Sequence, residues 1–320
     1  MKKTMAFFAA MAAMALTFSA CNDNDDILDD GFSNEITIDG DVECCSVEEA
    51  RIIYEYLKTV KEIPELADTI DNTYRLHAYT TSGSLHTGFN YIYFVVTKLK
   101  NSNYVKDVQI KNLTPLMTMQ MGEMAMKHST PVAGNTTIID DLPAALKRTW
   151  VSFLMPSEGE DGWTFTYDIN ISGAGDQNFT KDIKVNPLGD GQNWLQSFKT
   201  NDKTYYISLV EPNKWQSGEN EINAYISVRS NPATEPFALA NEKFIIEQVP
   251  TMPDMGNHSS PNNTNLERQI DYTYKGTINL TMTGLWRIHL TVRDAETNQI
   301  VAGGDEESDG FSSIFWDVTI

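Results

Sequence analysis

An all-β fold is predicted, two tandem β-sandwiches behind a short N-terminal helical segment, and three observations predict it. After about residue 72 the apolar pattern has a period of two, in runs of β-branched and aromatic residues. These runs are short and separated by Gly, Asn and Pro turns, the punctuation of antiparallel sandwiches. The chain also repeats itself at an offset of about 130 residues, which is a domain length and not a solenoid period.

The N-terminus sets the expected compartment. Lys2 and Lys3 precede an apolar, Ala- and Met-rich stretch from Thr4 to Phe18, and Phe18-Ser19-Ala20 leads into Cys21. A basic start, a short apolar run and small residues before the cut predict a secretory signal over 1–20. The apolar run is shorter than the roughly 20 residues a spanning helix needs. The ending resembles a bacterial lipobox, which implies acylation of Cys21 and a lipid anchor in a membrane. Residues 21–45 read as an acidic tether, opening with Asn22-Asp23-Asn24-Asp25-Asp26-Ile27-Leu28-Asp29-Asp30. An Asp-rich run beside the anchor looks like the surface-export tether of Bacteroidota lipoproteins and implies a surface-exposed outer-membrane lipoprotein. The plain alternative is a solvated, self-repelling linker.

A helical segment is expected over 46–71. Ser46 and Glu49 have capping-box spacing. Ala50, Ile53, Tyr54, Leu57 and Val60 follow at helical spacing, and Pro64 stops the pattern. Strands are expected at Tyr91–Val96, Trp150–Leu154, Thr164–Ile169, Thr204–Val210, Ile222–Val228, Phe244–Gln248, Thr277–Met282, Arg287–Val292 and Ser313–Ile320. In Ile222–Val228 the apolar residues Ile222, Ala224, Ile226 and Val228 alternate with Asn223 and Ser227, a strand with one buried face.

The repeat joins named residues. Thr73-Tyr74-Arg75-Leu76 returns as Thr204-Tyr205-Tyr206-Ile207, and Gly88-Phe89-Asn90 as Gly218-Glu219-Asn220. His128-Ser129-Thr130-Pro131 returns as His258-Ser259-Ser260-Pro261, Met155 as Met282, and Trp163 as Trp286. Two homologous β-domains are expected, 72–172 and 200–320, with 173–199 as a Gly- and Asn-rich linker.

Composition narrows the function classes. The 320 residues carry 24 Lys+Arg against 44 Asp+Glu, a formal charge of −20. Such a chain is unsuited to neutralising phosphates, so no nucleic-acid partner is expected. Three Cys cannot build a disulfide framework. The adjacent Cys44 and Cys45 could serve as soft metal ligands, form a disulfide with a partner, or simply be oxidised neighbours.

The methionines carry the chemical signal. Apart from four in the signal stretch, the 13 Met lie in or just after the two His-Pro segments: Met117, Met119, Met121, Met124, Met126 and Met155, then Met252, Met255 and Met282. Thioether and imidazole donors suit Cu(I), and Cu(II) where imidazole dominates, while they serve Mg, Ca and Mn poorly. Alternation sets Met117, Met119 and Met121 on one face of an extended segment, beside His128 in sequence. The competing reading is that Met is a soft filler and these residues pack the ends of the sandwiches without metal.

Thr251-Met252-Pro253-Asp254-Met255-Gly256-Asn257-His258-Ser259-Ser260-Pro261 resembles the Met-Pro-x-Met-Gly-His signature of YtkA-like and FixH-like extracytoplasmic domains. Tyr274-x-Gly276 and Met282-x-Gly284-x-Trp286-Arg287 are similar to the closing strands of that family. The resemblance covers 204–293 well and 73–170 more weakly. It implies small Ig-like sandwiches related to CopC-type copper proteins, hence two tandem Ig-like β-sandwich domains here. It implies a copper site at Met252, Met255, His258 and Met282, with Met121, Met124, Met126, His128 and Met155 as the first-domain equivalents.

No Gly-x-Ser-x-Gly, His-Glu-x-x-His or P-loop pattern is present, so an enzyme is not expected. His77, His86 and His289 read as ordinary surface residues; Trp194 and Trp215 read as core or junction packing, with stacking on sugars as the alternative. The expected role is copper binding or delivery in the cell envelope, with an envelope protein as partner. The alternative is a surface module that binds a protein or glycan.

Overall fold

The computed structural model describes residues 46–172, 174–189, 192, 194–210, 215–304 and 311–320. The signal stretch, Cys21, the acidic tether, Cys44 and Cys45 lie outside the described residues.

One α-helix, Val47–Leu57, opens the described chain. Ser46 caps it: the Glu49 amide donates to Ser46 Oγ at 3.2 Å and the Ser46 amide to Glu49 Oε2 at 2.8 Å. Both bonds satisfy amides that a helix start leaves without partners. Ala50, Ile53, Tyr54 and Leu57 form its buried stripe, which packs with Tyr93, Val95, Tyr104 and Leu146 on the outer face of a sheet. The helix is shorter than the expected 46–71 segment. Its stripe is complete at Leu57, and the β-branched and Pro residues that follow leave the helix. Lys61–Glu62 pair with Tyr79 and Thr80, Pro64–Leu66 make a 3-10 turn, and Asp68–Ile70 pair with Tyr74–Leu76.

The rest is antiparallel β-structure in two halves, apart from one short parallel pairing of Leu85–His86 with Val185–Asn186. In the first half, Gly88–Lys98 lies between Tyr74–Thr80 and Lys147–Phe153. A second sheet runs in the order Gly175–Ile183, Gly162–Ile171, Val108–Met121, Met124–His128. Gly162–Ile171 alternates strictly, with Trp163, Phe165, Tyr167, Ile169 and Ile171 turned into the core. Gly88–Lys98 is buried on both faces, one in the sandwich and one under the helix, so it reads as a continuous apolar run.

The second half repeats this pairing. Gly218–Val228 lies between Lys203–Leu209 and Tyr274–Leu280, and Phe244–Met252 pairs with Leu285–Asp294. The short strand Leu266–Arg268 pairs with both Phe244–Met252 and Tyr274–Leu280, which joins everything into one ten-stranded sheet. Its core is a separate cluster that includes Trp286, Trp316, Ile246 and Ile278.

The repeated residues occupy matching structural positions. Asn90 donates to the carbonyls of His86 and Gly88 and accepts from the His86 amide. Asn220 makes the same three bonds to Gln216, Gly218 and the Gln216 amide. Both turns use a glycine at positive φ, +81° at Gly88 and +101° at Gly218, where a side chain would be strained.

The stretch expected as a linker, 173–199, carries strands. Gly175–Ile183 is a full strand paired along its length with Gly162–Ile171, and Leu195–Thr200 pairs with Lys203–Leu209. The first is an edge strand whose outward residues Asp176, Asn178, Thr180 and Asp182 face water, which gives it the composition of a loop. The halves meet at a buried aromatic stack. Trp150 lies on Tyr225 at 4.9 Å and 10°, and Phe89 flanks both. Ser152 and Ser208 hydroxyls bond across the junction at 2.6 Å, and Ser129 donates to the Ala233 carbonyl at 2.7 Å.

Candidate metal site

The methionine-rich segment is a β-hairpin. Val108–Met121 turns back into Met124–His128 through Gly122-Glu123, with Gly122 at φ +67°. Glycine at the first turn position suits the twist of a two-residue hairpin. Its register pairs Met117 with His128, Met119 with Met126 and Met121 with Met124. Residues directly opposite in an antiparallel pair share a face. The alternation of Met117 and Met119 is therefore matched across the hairpin by His128 and Met126.

Exposure rises along this ladder. Met117 is wholly buried and Met119 packs against the core. Beyond them Met126 is 52% exposed and Met124 72%. At the inner end stands His128. Its Nδ1 lies 2.8 Å from the Ser129 carbonyl. A carbonyl only accepts, so Nδ1 carries a proton, and in the neutral tautomer this selects, the lone pair lies at Nε2. Nε2 lies 3.4 Å from Met155 Sδ. Imidazole nitrogen and thioether sulfur are donor types that suit a soft ion.

Neighbours hold the pair in position. Trp163 donates its indole N–H to the Met155 carbonyl at 3.0 Å, and its ring meets His128 edge-on at 5.5 Å. Ser129, whose carbonyl orients His128, is tied to the Pro115 carbonyl by its hydroxyl and to Ala233 by its amide. Trp163 had no site role in the sequence reading; only its recurrence as Trp286 marked it.

The second half arranges its residues differently. Met252 again pairs with the histidine, His258, but Met252 is buried against Gly284 and His258 is exposed. Met255 is 54% exposed on the 3-10 turn Pro253–Met255, which ends with Gly256 and Asn257 both at positive φ. Met282 packs against the core, and its carbonyl takes the Trp286 indole N–H at 2.8 Å. Among the described residues no His258 contact to sulfur matches that of His128 with Met155.

Other candidates resolve into structure. His289 is buried, not superficial: Thr251 and the Ser312 carbonyl bond its two nitrogens, and Phe311 stacks on it at 4.7 Å. His77 is half-buried between Glu62 and Thr97, and His86 is half-buried beside Trp194. Trp194 is core, its N–H on the Asp317 carbonyl. Among the described residues no three His, Cys, Asp or Glu gather to hold an ion. No helix among them is long and apolar enough to cross a membrane. No family model and no curated protein matches this chain.

Proposed function

We propose that the chain is a cell-envelope lipoprotein, anchored through Cys21, that binds copper as Cu(I) for handling or delivery to an envelope partner. The primary ligands are His128 and Met155, with the exposed Met124 and Met126 of the hairpin as the entry route. One observation carries the reading: His128 Nε2, its lone pair freed by the Nδ1 bond to Ser129, faces Met155 Sδ at 3.4 Å. Met252, Met255, His258 and Met282 form the weaker, second site.

The test is a Cu(I) competition titration against a chromophoric chelator. His128→Ala combined with Met155→Leu is expected to lower affinity at least tenfold, and Met255→Ala combined with His258→Ala much less. Absence of Cu(I) binding, or binding indifferent to the first pair, overturns the proposal.

A second reading, a surface module for a protein partner, draws on the exposure of Met124 and Met126, since flexible thioethers suit adaptable interfaces. It predicts partner capture that survives His128→Ala and is lost on Met124→Ser with Met126→Ser.

A further inference from the structure

Lys147 is a charge on the inside of a sandwich. It pairs in register with Phe94, and Val151 and Phe153 follow it on the same inward face of the strand. It is only 9% exposed. Among the described residues its ammonium has no hydrogen-bond or ion-pair partner. Its stem is buried while the ammonium reaches the cleft; the partial burial pulls its pKa down, and the nearby Asp107 carboxylate offsets this in part.

The side chain lines a cleft of about 370 Å³ where the two sheets of the first half part. Val108 and Ile110 of the facing sheet, both buried, line it too. Lys111, Asn135 and Thr136 stand around it. Lys111 is already engaged by Asp176 at 3.5 Å, and the Thr136 hydroxyl by the Ile110 carbonyl at 3.1 Å. That leaves Lys147 as the one cation in the cleft without a partner, beside an amide side chain. The volume lies at the small end of the range for ligand sites, roughly 300–1,000 Å³.

We propose that this cleft binds a small solute bearing one oxyanion group, a carboxylate or phosphate, which pairs with the Lys147 ammonium while apolar atoms of the solute rest on Val108 and Ile110. One anionic group matches the cleft, because Asp107 and Asp176 repel a second negative charge. The site is separate from the His128–Met155 pair and stands whether or not copper binds.

Calorimetric titration of the metal-free protein with inorganic phosphate, and separately with acetate and butyrate, tests the proposal. At least one is expected to bind saturably at one site, with affinity reduced at least tenfold in Lys147→Gln and retained in Lys147→Arg. Which anion binds distinguishes carboxylate from phosphate. Failure of all three to saturate, or binding unchanged in Lys147→Gln, overturns it. Should Lys147→Gln not fold, acetylation of the native protein serves instead. A saturating anion is then expected to slow labelling of Lys147 at least threefold while leaving Lys275 unchanged, and lack of protection overturns the site.

Discussion

The indole of Trp163 and the carbonyl of Met155 are joined by a 3.0 Å hydrogen bond, and the second half reproduces it between Trp286 and Met282 at 2.8 Å. In the first half this bond fixes the backbone of the residue whose sulfur faces His128. Replacing Trp163 with Phe keeps the aromatic body and removes the donor, leaving the Met155 carbonyl without that partner. The expected cost is about 1–3 kcal/mol, read as a lower urea midpoint. Cu(I) affinity is expected to fall as well, because Met155 is released. Trp286→Phe is expected to match the stability loss and to spare the tighter Cu(I) site.

Asn90 and Asn220 each close a Gly-x-Asn turn with three bonds to backbone. Alanine at either position removes all three and leaves buried backbone groups unpaired. A loss of about 2–4 kcal/mol is expected for each variant in urea unfolding. Similar losses at the two sites are the energetic signature of the repeat; a loss at one site alone would mean that the turns have diverged in role.

Trp150 and Tyr225 hold the halves together face to face, inside a cluster that also takes in Phe89 and Val210. Trp150→Ala is expected to cost about 3–5 kcal/mol. A double-mutant cycle with Tyr225→Ala is expected to give a coupling of about 0.5–1.5 kcal/mol, the worth of an aromatic pair beyond its buried area. Calorimetry is expected to show one unfolding transition in the native chain and two in the double variant, as each half keeps its own core.

His77 gives the stability a pH dependence. Burial pulls its imidazole below the ordinary histidine value of 6.5, against the Glu62 carboxylate 2.9 Å away, which raises it. The unfolded chain therefore binds this proton more tightly than the folded one. Stability from the neutral ring is complete above a pH of about 6.5 and is lost as pH falls from there toward the folded-state value. The urea midpoint is expected to drop between pH 7.5 and 5.5, and the drop is expected to shrink in His77→Gln. An identical drop in that variant would assign the effect to other groups.

Much of the architecture was legible because period-two alternation survives wherever a strand has one dry and one wet face. Gly162–Ile171 and Gly218–Val228 are of that kind, and each contains a shorter run expected from the sequence, Thr164–Ile169 and Ile222–Val228. Gly175–Ile183 was hidden, since an edge strand with Asp, Asn and Thr outward carries few apolar residues to mark its period. The candidate site divides in the same way. A shared face for Met117, Met119 and Met121 follows from alternation alone. The approach of His128 to Met155 joins residues 27 apart on different elements and depends on how the strands pack, which no spacing rule encodes.

The hairpin's exposure gradient makes a last, residue-by-residue prediction. Hydrogen peroxide transfers one oxygen atom to a thioether and leaves water, so its rate at each Met follows access to the sulfur. Met124 is 72% exposed, Met255 54% and Met126 52%, whereas Met117 and Met252 are buried. Under limiting peroxide, peptide mass spectrometry is expected to find sulfoxide at Met124, Met126 and Met255 well before Met117 or Met252. Ag(I), a d10 stand-in for Cu(I) that peroxide does not oxidise, is expected when bound at His128 and Met155 to slow oxidation of Met155, since coordination engages one of the two sulfur lone pairs and lowers the nucleophilicity of the other. It is expected to slow Met126 less and Met255 not at all. Equal protection at all sites would mean that the ion binds the sulfurs without a preferred site, and protection centred on Met255 would move the tighter site to the second half.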